Sequence, residues 1–123
     1  MRLATIRLEL ARGPGRPEGD ARHGYELKAP LDREGHIDLA GWKLNKAFCT
    51  VHRFTPGGDD EWGRLEHGGD RRWRFHYDVV ADPDAAADEV GYRFDSHAFR
   101  PGEYVSITEH DGVQRTFKVV SVG

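Results

Sequence analysis

Histidine is the residue type whose abundance and spacing first suggest chemistry in this sequence. The chain of 123 residues contains seven histidines and a single cysteine. Structural zinc sites usually gather local pairs of His and Cys at short, regular spacing. The nearest such pair is Cys49 and His52, and no second pair with similar spacing accompanies it. The sequence therefore predicts no metal site, and a centre assembled from distant histidines is the alternative.

Two of the histidines open the same short motif, His-x-Phe-x-Pro-Gly, which begins at His52 and again at His97. Pro-Gly suits the two central positions of a type II turn, because proline fixes φ and glycine accepts a positive φ. Each copy therefore predicts a strand that enters a tight turn. We expect an internal repeat of a three-stranded unit, at residues 50–79 and 92–122, with chance recurrence of turn motifs as the alternative.

The repeat suggests where a site would lie. His52 and His97 each precede a phenylalanine by two residues, so the two side chains share one face of a strand. If the phenylalanines point inward near a barrel rim, both histidines lie at the boundary between core and solvent. There they would line the mouth of a binding site with Trp62 and Tyr104 from the following strands. The alternative is a structural role, in which the histidines hydrogen-bond turn backbone.

Two further stretches carry residues that suggest binding. RRWRFHY at residues 71–77 interleaves basic and aromatic residues, but its alternation puts the aromatic side chains on one face and the basic ones on the other. A nucleic-acid platform needs both on the exposed face, so a core strand is the better interpretation. The acidic stretch at residues 81–89 lacks the spacing of a calcium loop and is expected to be a solvated connector.

Catalytic signatures are missing from the sequence. The chain contains no Gly-x-Ser-x-Gly motif, no phosphate-binding loop and no Gly-x-Gly-x-x-Gly fingerprint. Cys49 lacks a context that would activate a thiolate. We therefore predict a non-enzymatic protein with no catalytic residues and no cofactor.

The elements that would position these residues are mainly strands. Residues 2–10 and 72–79 alternate between apolar and polar side chains, and 24–29 form another short strand. Asp111 and Gly112 predict a type I′ hairpin turn. Apolar residues at helical spacing after a possible N-cap, Asp38, predict one helix over residues 38–48. The remaining strands come from GYRF, PGEYVSITE and QRTFKVVSV.

These elements predict the fold class. We expect a mainly β, single domain over residues 1–123, built as a small antiparallel barrel or a strongly curved sheet. Seven or eight strands and one short helix account for the pattern.

The C-terminal strands also carry a family resemblance. FRPGEYVSI followed by RTFKVVSV resembles the flavin-binding barrel of ferredoxin reductases, in which a Phe-x-Pro-Gly-Gln-Tyr strand precedes an Arg-x-Tyr-Ser motif. The resemblance implies that Arg115 would hold a cofactor phosphate, that Phe117 would pack on the isoalloxazine ring and that Lys118 would stand in the place of the serine. Phe117 and Lys118 depart from the pattern, and the resemblance covers a short part of the chain.

Composition narrows the classes of partner. The net charge of −3 gives no field that attracts nucleic acid or an anionic membrane, and the sequence has no apolar stretch long enough to cross a bilayer. One cysteine and no recognisable secretory signal favour a cytoplasmic protein. We expect a small binding or interaction module with an unknown protein or small-molecule partner. The alternative is a ligand-binding or metal-binding barrel, with flavin or a histidine-rich site.

Overall fold

A computed structural model describes residues 2–13, 15–58, 60–79 and 88–123. The described residues form eight antiparallel strands that close into a barrel, in which each strand pairs with the next along the chain and the last pairs with the first. The mainly β barrel predicted from the sequence is confirmed. Most of the acidic connector predicted at residues 81–89 lies outside the described residues. The strands are β1 (Leu3–Leu10), β2 (Asp20–Pro30), β3 (Thr50–Phe54), β4 (Glu61–His67), β5 (Trp73–Val79), β6 (Glu89–Tyr92), β7 (Tyr104–Thr108) and β8 (Gln114–Val122).

The core follows from the alternation seen in the sequence. In β1, Ile6, Leu8 and Leu10 point into the barrel and are almost fully buried. In β5 the aromatic side chains of Trp73 and Phe75 point inward too, so the core-strand interpretation of RRWRFHY is confirmed. Each large apolar side chain buried in this way contributes roughly 1.5–3 kcal/mol to stability.

Val79 departs from the predicted alternation. The sequence places it on the inner face of β5, but its side chain is exposed. A β-bulge explains the difference, because Trp62 pairs with Val79 whereas the next residue, Gly63, pairs with Tyr77. The extra residue, Asp78, reverses the faces beyond it.

The predicted strand at residues 24–29 is longer in the structure. β2 begins at Asp20, four residues before the predicted strand, and ends at Pro30. Its first residues pair with the end of β1 after a register shift between Glu9 and Leu10. Pairing with a neighbour therefore outweighs the weak strand propensity of these polar residues.

The helix begins where the sequence predicts but ends early. α1 covers Leu39–Leu44, and the Asp38 carboxylate accepts a hydrogen bond from the Gly41 amide at 3.2 Å, as expected of an N-cap. A short 3₁₀ turn follows at Lys46–Phe48. The apolar face predicted from Leu44 and Phe48 is wrong, since both side chains are exposed.

Trp42 anchors α1 to the barrel instead. Its indole N–H donates to the Leu65 carbonyl at 2.9 Å, and its ring packs edge-on against Trp73 at 5.3 Å. A helix this short buries a single large side chain, which overrides the apolar periodicity of the surrounding sequence.

The turns agree with the sequence in part. Gly57 and Gly102 have φ of 69° and 94°. In each turn the amide of the fourth residue donates a hydrogen bond to the carbonyl of the first, as in type II turns. The hairpin at Asp111-Gly112 forms, but only Gly112 has a positive φ, 79°. It is therefore not the predicted type I′ turn; the Gly112 amide donates to the Glu109 carbonyl at 2.8 Å.

The two ends of the barrel carry different connections, because consecutive antiparallel strands run in opposite directions. At one end, which we call the network end after the buried charge network described below, β1, β3, β5 and β7 end and β2, β4, β6 and β8 begin. The other end, the helix end, carries α1 and the connections β4–β5 and β6–β7. The two Pro-Gly turns therefore lie at opposite ends, and the internal repeat itself remains a prediction. None of the helices in the described ranges is long and apolar enough to cross a membrane.

Candidate functional site: a buried charge network and an aromatic face

Three carboxylates are buried inside the barrel at the network end. Glu61 is the first residue of β4, Glu89 is the first of β6, and Glu109 follows β7. Their exposed fractions are 3 %, 0 % and 3 %. A carboxylate removed from water in this way needs a positive charge and hydrogen-bond donors close by.

Arg53 supplies that positive charge to all three. It follows the inward-facing Val51 by two residues on β3, so its side chain also enters the barrel. Its guanidinium nitrogens lie 2.8 Å from Glu61, 3.2 Å from Glu89 and 3.1 Å from Glu109. Burial disfavours its charged form, but the negative charges of Glu89 and Glu109 outweigh burial and raise the pKa of Arg53.

Two buried tyrosines complete the centre of the network. The Tyr77 hydroxyl donates to Glu89 Oε1 at 2.7 Å. The Tyr25 hydroxyl lies 2.5 Å from Glu109 Oε2 and 3.0 Å from Glu89 Oε1. A phenol has one proton, so Tyr25 donates to one carboxylate at a time, and the shorter contact assigns that proton to Glu109.

The pKa values of Glu89 and Glu109 are shifted in opposite directions. Burial raises the pKa of Glu89, and the charge of Arg53 and the hydrogen bond from Tyr77 offset burial only in part. Burial also opposes ionisation of Glu109, but hydrogen bonds from His23 and Tyr25 outweigh it and lower the pKa of Glu109 to about 2. Neighbouring carboxyls with pKa values driven apart are a common feature of functional sites.

The rim of the network consists of partly exposed basic residues. His23 Nε2 lies 2.9 Å from Glu109, and His110 Nε2 lies 3.1 Å from Glu61. Arg115 donates to Glu109 Oε1 at 3.1 Å and binds Asp111 at 2.8 Å. These residues cover the carboxylates from the solvent side.

The network is packed with side chains and bonded within itself. Two grooves of about 470 Å³ each on the described part of the molecule are lined by residues outside the network. The arrangement therefore holds four strand ends in a fixed geometry and keeps charges and protons in place.

The outer wall beside the network carries an aromatic surface, the aromatic face, formed by His52, Phe54, Trp62 and Val79. The rings of His52 and Trp62 stack with centroids 3.8 Å apart and an interplanar angle of 1°. His52 Nε2 contacts the Asp60 carboxylate at 2.7 Å, and the Phe54 ring lies 5.7 Å from the His52 ring. Trp62 and Val79 pair across β4 and β5 and are 51 % and 56 % exposed.

The structure brings together only some of the site residues predicted from the sequence. His52 and Trp62 are in direct contact on the outer wall, and Arg115 joins the network. His97 lies in the β6–β7 connection at the helix end, and Tyr104 lies on β7, where it lines a groove with residues of β1 and β8. The predicted rim shared by His52 and His97 is therefore wrong.

The orientation predicted for the first motif is also wrong. Val51 and Arg53 occupy the inward positions of β3, so His52 and Phe54 point outward. Phe99 of the second motif is buried, as predicted.

The roles implied by the flavin resemblance do not fit the described side chains. Arg115 is already bound to Glu109 and Asp111. Phe117 is fully buried in the core, where its ring packs against Tyr25 at 5.1 Å, so it offers no surface to a flavin ring. Lys118 is exposed on the outer wall, and its backbone lies opposite Glu9 in the pairing of β8 with β1.

Apart from Arg115, the residues of the network were missed by the sequence analysis. A signal for them exists, because Arg53 and Glu61 occupy positions whose neighbours two residues away, Val51 and Gly63, face inward. Charged residues at inward positions of facing strands predict a buried ion pair. Glu89 and Glu109 carry no such signal, since each lies at a strand boundary.

Comparisons with known proteins add nothing to what the structure shows. No family model, no curated protein and no solved structure gives a significant match to this chain. In the described residues, no group of three or more His, Cys, Asp or Glu side chains is arranged to hold a metal ion.

Proposed function

We propose that this protein is a non-enzymatic binding module that contacts a protein partner through the aromatic face. The observation that carries the proposal is the state of Trp62. Its indole is half exposed, yet it is stacked flat on His52, which is itself held by Asp60. A large aromatic side chain that is both exposed and immobilised is a feature of interface anchors.

Immobilisation matters because binding usually orders the side chains at an interface. Ordering a flexible side chain costs about 0.5–1.5 kcal/mol on association, and a side chain that is already fixed avoids this loss. Val79, which pairs with Trp62 on the next strand, extends the apolar area. The aromatic face thus combines an anchor with neighbouring apolar surface.

The network supports the aromatic face from inside the barrel. In the ladder between β3 and β4, His52 pairs with Trp62 and the adjacent pair is Arg53 with Glu61. The outer pair forms the stack, and the inner pair forms an ion pair at 2.8 Å. Fixing the inner pair limits movement of the two strands that carry the stack.

The charges around the aromatic face favour a partner of particular chemistry. Asp60 is bound to His52, and Asp78, beside Val79, is exposed and lies 3.5 Å from Arg64. The whole chain has a net charge of −3. A partner segment with an apolar side chain for Trp62 and a basic residue for these carboxylates suits this surface.

We also propose a cytoplasmic location and a protein, rather than nucleic acid, as the partner. The one cysteine, Cys49, is free and buried, which supports a cytoplasmic protein. The acidic net charge supports a protein partner over nucleic acid.

The experiment compares binding by the wild-type chain, Trp62→Ala and a matched control, Tyr104→Ala. Tyr104 is exposed to a similar degree, 48 % against 51 %, but lies on β7, away from the aromatic face on β3, β4 and β5. Each immobilised chain is incubated with extract of the source cell, and proteins enriched by the wild type are then purified and titrated. We expect Trp62→Ala to weaken binding roughly 30-fold or more, as at an interface anchor, and Tyr104→Ala to bind like the wild type.

The opposite result would remove the proposal. If the purified partner binds Trp62→Ala as tightly as the wild type, the aromatic face is not the interface. A concentration-dependent dimer of the wild-type chain that Trp62→Ala abolishes would instead identify a second copy as the occupant.

A further inference from the structure

A second surface of the barrel has no role in the proposed protein contact. It is a groove of about 470 Å³ on the outer wall over β6, at the side of the helix end. Its floor includes Val90, and Tyr92 lines it with 44 % of its surface exposed. Three arginines, Arg71, Arg72 and Arg93, also line it, and we call it the arginine groove.

The backbone holds two of these arginines in an uncommon conformation. Arg71 and Arg93 have φ of 64° and 52°, and in the described part of the chain they are the two residues other than glycine with positive φ. Such residues concentrate at functional sites, because the surrounding structure must hold them against their preference. The Arg71 amide donates to the Gly68 carbonyl, and the Arg93 carbonyl accepts from the amides of Ser96 and His97.

The guanidinium groups of the groove are not held by close ion pairs, unlike those of several arginines on the strands. Within the described ranges, Arg71 and Arg93 make no ion pair or side-chain hydrogen bond, and Arg72 has a long contact of 3.9 Å with Asp70. By contrast, the arginines of β1, β3 and β8 each contact carboxylates at 2.8 Å. One carboxylate, Asp95, lines the groove, so its charge is positive on a chain whose net charge is −3.

The groove also offers a flat surface beside the charges. The Arg93 guanidinium lies over the Tyr92 ring, 5.1 Å from its centroid, and this pair forms one wall. A guanidinium bound in this way keeps its N–H donors free at its edge. The wall therefore combines an aromatic plane with donors suited to an oxyanion.

We propose that the arginine groove binds a small aromatic phosphate monoester, with the phosphate held by Arg93 and its neighbouring arginines and the ring against Tyr92. Arginine is suited to phosphate because its planar donors form paired, charge-assisted hydrogen bonds with two oxygens. A doubly charged phosphate matches several arginines better than a single carboxylate does. The net negative charge of the whole chain opposes a long polyanion such as nucleic acid.

The test measures equilibrium binding of phenyl phosphate to the full chain at low ionic strength, by calorimetry or by NMR chemical shifts. Benzoate, inorganic phosphate and phenol serve as probes that lack one part of the ligand. We expect phenyl phosphate to bind more tightly than any of the three. The variants are Arg93→Gln and the control Arg33→Gln, which removes the same charge from an exposed arginine outside this groove.

The expected result is a loss of roughly 10-fold or more in affinity for Arg93→Gln, because a charge-assisted contact is removed. Arg33→Gln should stay within about 2-fold of the wild type, and so should Trp62→Ala, since the aromatic face is a separate surface. Thermal unfolding of each variant checks that the barrel is intact.

Three results would overturn the proposal. One is no saturable binding of phenyl phosphate up to about 10 mM. Another is equal weakening by Arg93→Gln and Arg33→Gln, which would show a general charge effect. The third is tighter binding of a short single-stranded oligonucleotide than of phenyl phosphate with the same dependence on Arg93, which would assign the groove to nucleic acid. Failure of the aromatic face to bind a protein would leave all three measurements unaffected.

Discussion

Arginine side chains lie in opposite environments in the network and in the arginine groove. Arg53 is buried inside the barrel and lies within 3.2 Å of three carboxylates. Arg71 and Arg93 stand on the outer wall and contact no carboxylate of the described residues within 4.0 Å. The difference is one of environment, because a buried charge must be neutralised inside the protein whereas an exposed one is solvated by water.

This comparison separates charges that hold the fold from charges left available to a ligand. Removing Arg53 would leave buried carboxylates without a positive charge beside them, so the folded chain needs Arg53 for its stability. Removing Arg93 would change little in the folded chain, so its conformation and position call for an explanation outside stability. The predictions below test this distinction by measuring how much each region contributes to folding.

The largest effect is expected for Arg53→Met, which keeps much of the side-chain volume and removes the charge. Breaking a buried ion pair by removing one partner costs about 3–5 kcal/mol, because the remaining charge is left uncompensated. Urea unfolding should show a loss of this size. The same change at Arg93 should cost less than about 0.5 kcal/mol, as expected of an exposed residue. Equal losses at the two sites would remove the distinction.

A smaller effect is expected from acid, through Glu109. Its pKa of about 2 in the folded chain lies below its ordinary value of 4.5. Its ionised form therefore contributes stability above pH 4.5, and that contribution is lost as the pH falls towards 2. Between pH 7 and pH 3 the loss attributable to Glu109 should be about 2 kcal/mol.

Glu109→Gln should remove this part of the pH dependence. The measurement is the difference in unfolding free energy between the wild type and the variant, taken at several pH values. That difference should be greatest near neutral pH and shrink in acid. A difference that stays constant from pH 7 to pH 3 would contradict the assignment of the low pKa to Glu109.

The tyrosine of the network gives a third, more modest effect. Tyr25→Phe removes the hydroxyl that donates to Glu109 and leaves the ring in the core. A buried carboxylate that loses one donor destabilises the fold by about 1–3 kcal/mol. Tyr104→Phe is the control, because its exposed hydroxyl has no such partner among the described residues. Chemical unfolding of the two variants should differ by at least about 1 kcal/mol.

The smallest effect has the opposite sign and concerns Arg71. Glycine adopts positive φ without steric cost, so Arg71→Gly should leave stability unchanged or raise it by up to about 1 kcal/mol. Binding of phenyl phosphate should fall at the same time. Destabilisation by more than about 1 kcal/mol would instead show that the Arg71 side chain supports the fold.

Much of the barrel could be predicted from local patterns. Period-two alternation identified β1 and most of β5, and the Pro-Gly turns formed with glycine at positive φ. Asp38 caps α1 as expected. These features depend on neighbours within a few residues, and the physical preferences that produce them are local.

The candidate sites were harder to predict. Trp62 and His52 were singled out and lie together, but for a different reason from the one expected, since both face outward. His97 and Tyr104 were expected beside them, but they lie in the β6–β7 connection and on β7. Successive connections in an antiparallel meander alternate between the two ends of the barrel, which separates the two motifs. A match between the motifs does not show at which end each one lies.

The sequence by itself determined which residues alternate, where turns form and that the chain is mainly β. Only the tertiary structure decided that β8 closes on β1, that a bulge exposes Val79, and that Glu61, Glu89 and Glu109 share one arginine. The physical reason is the distance along the chain over which each kind of interaction acts. Hydrogen bonds and φ preferences act between near neighbours, whereas closure and the meeting of buried charges depend on the register of strands far apart in the chain.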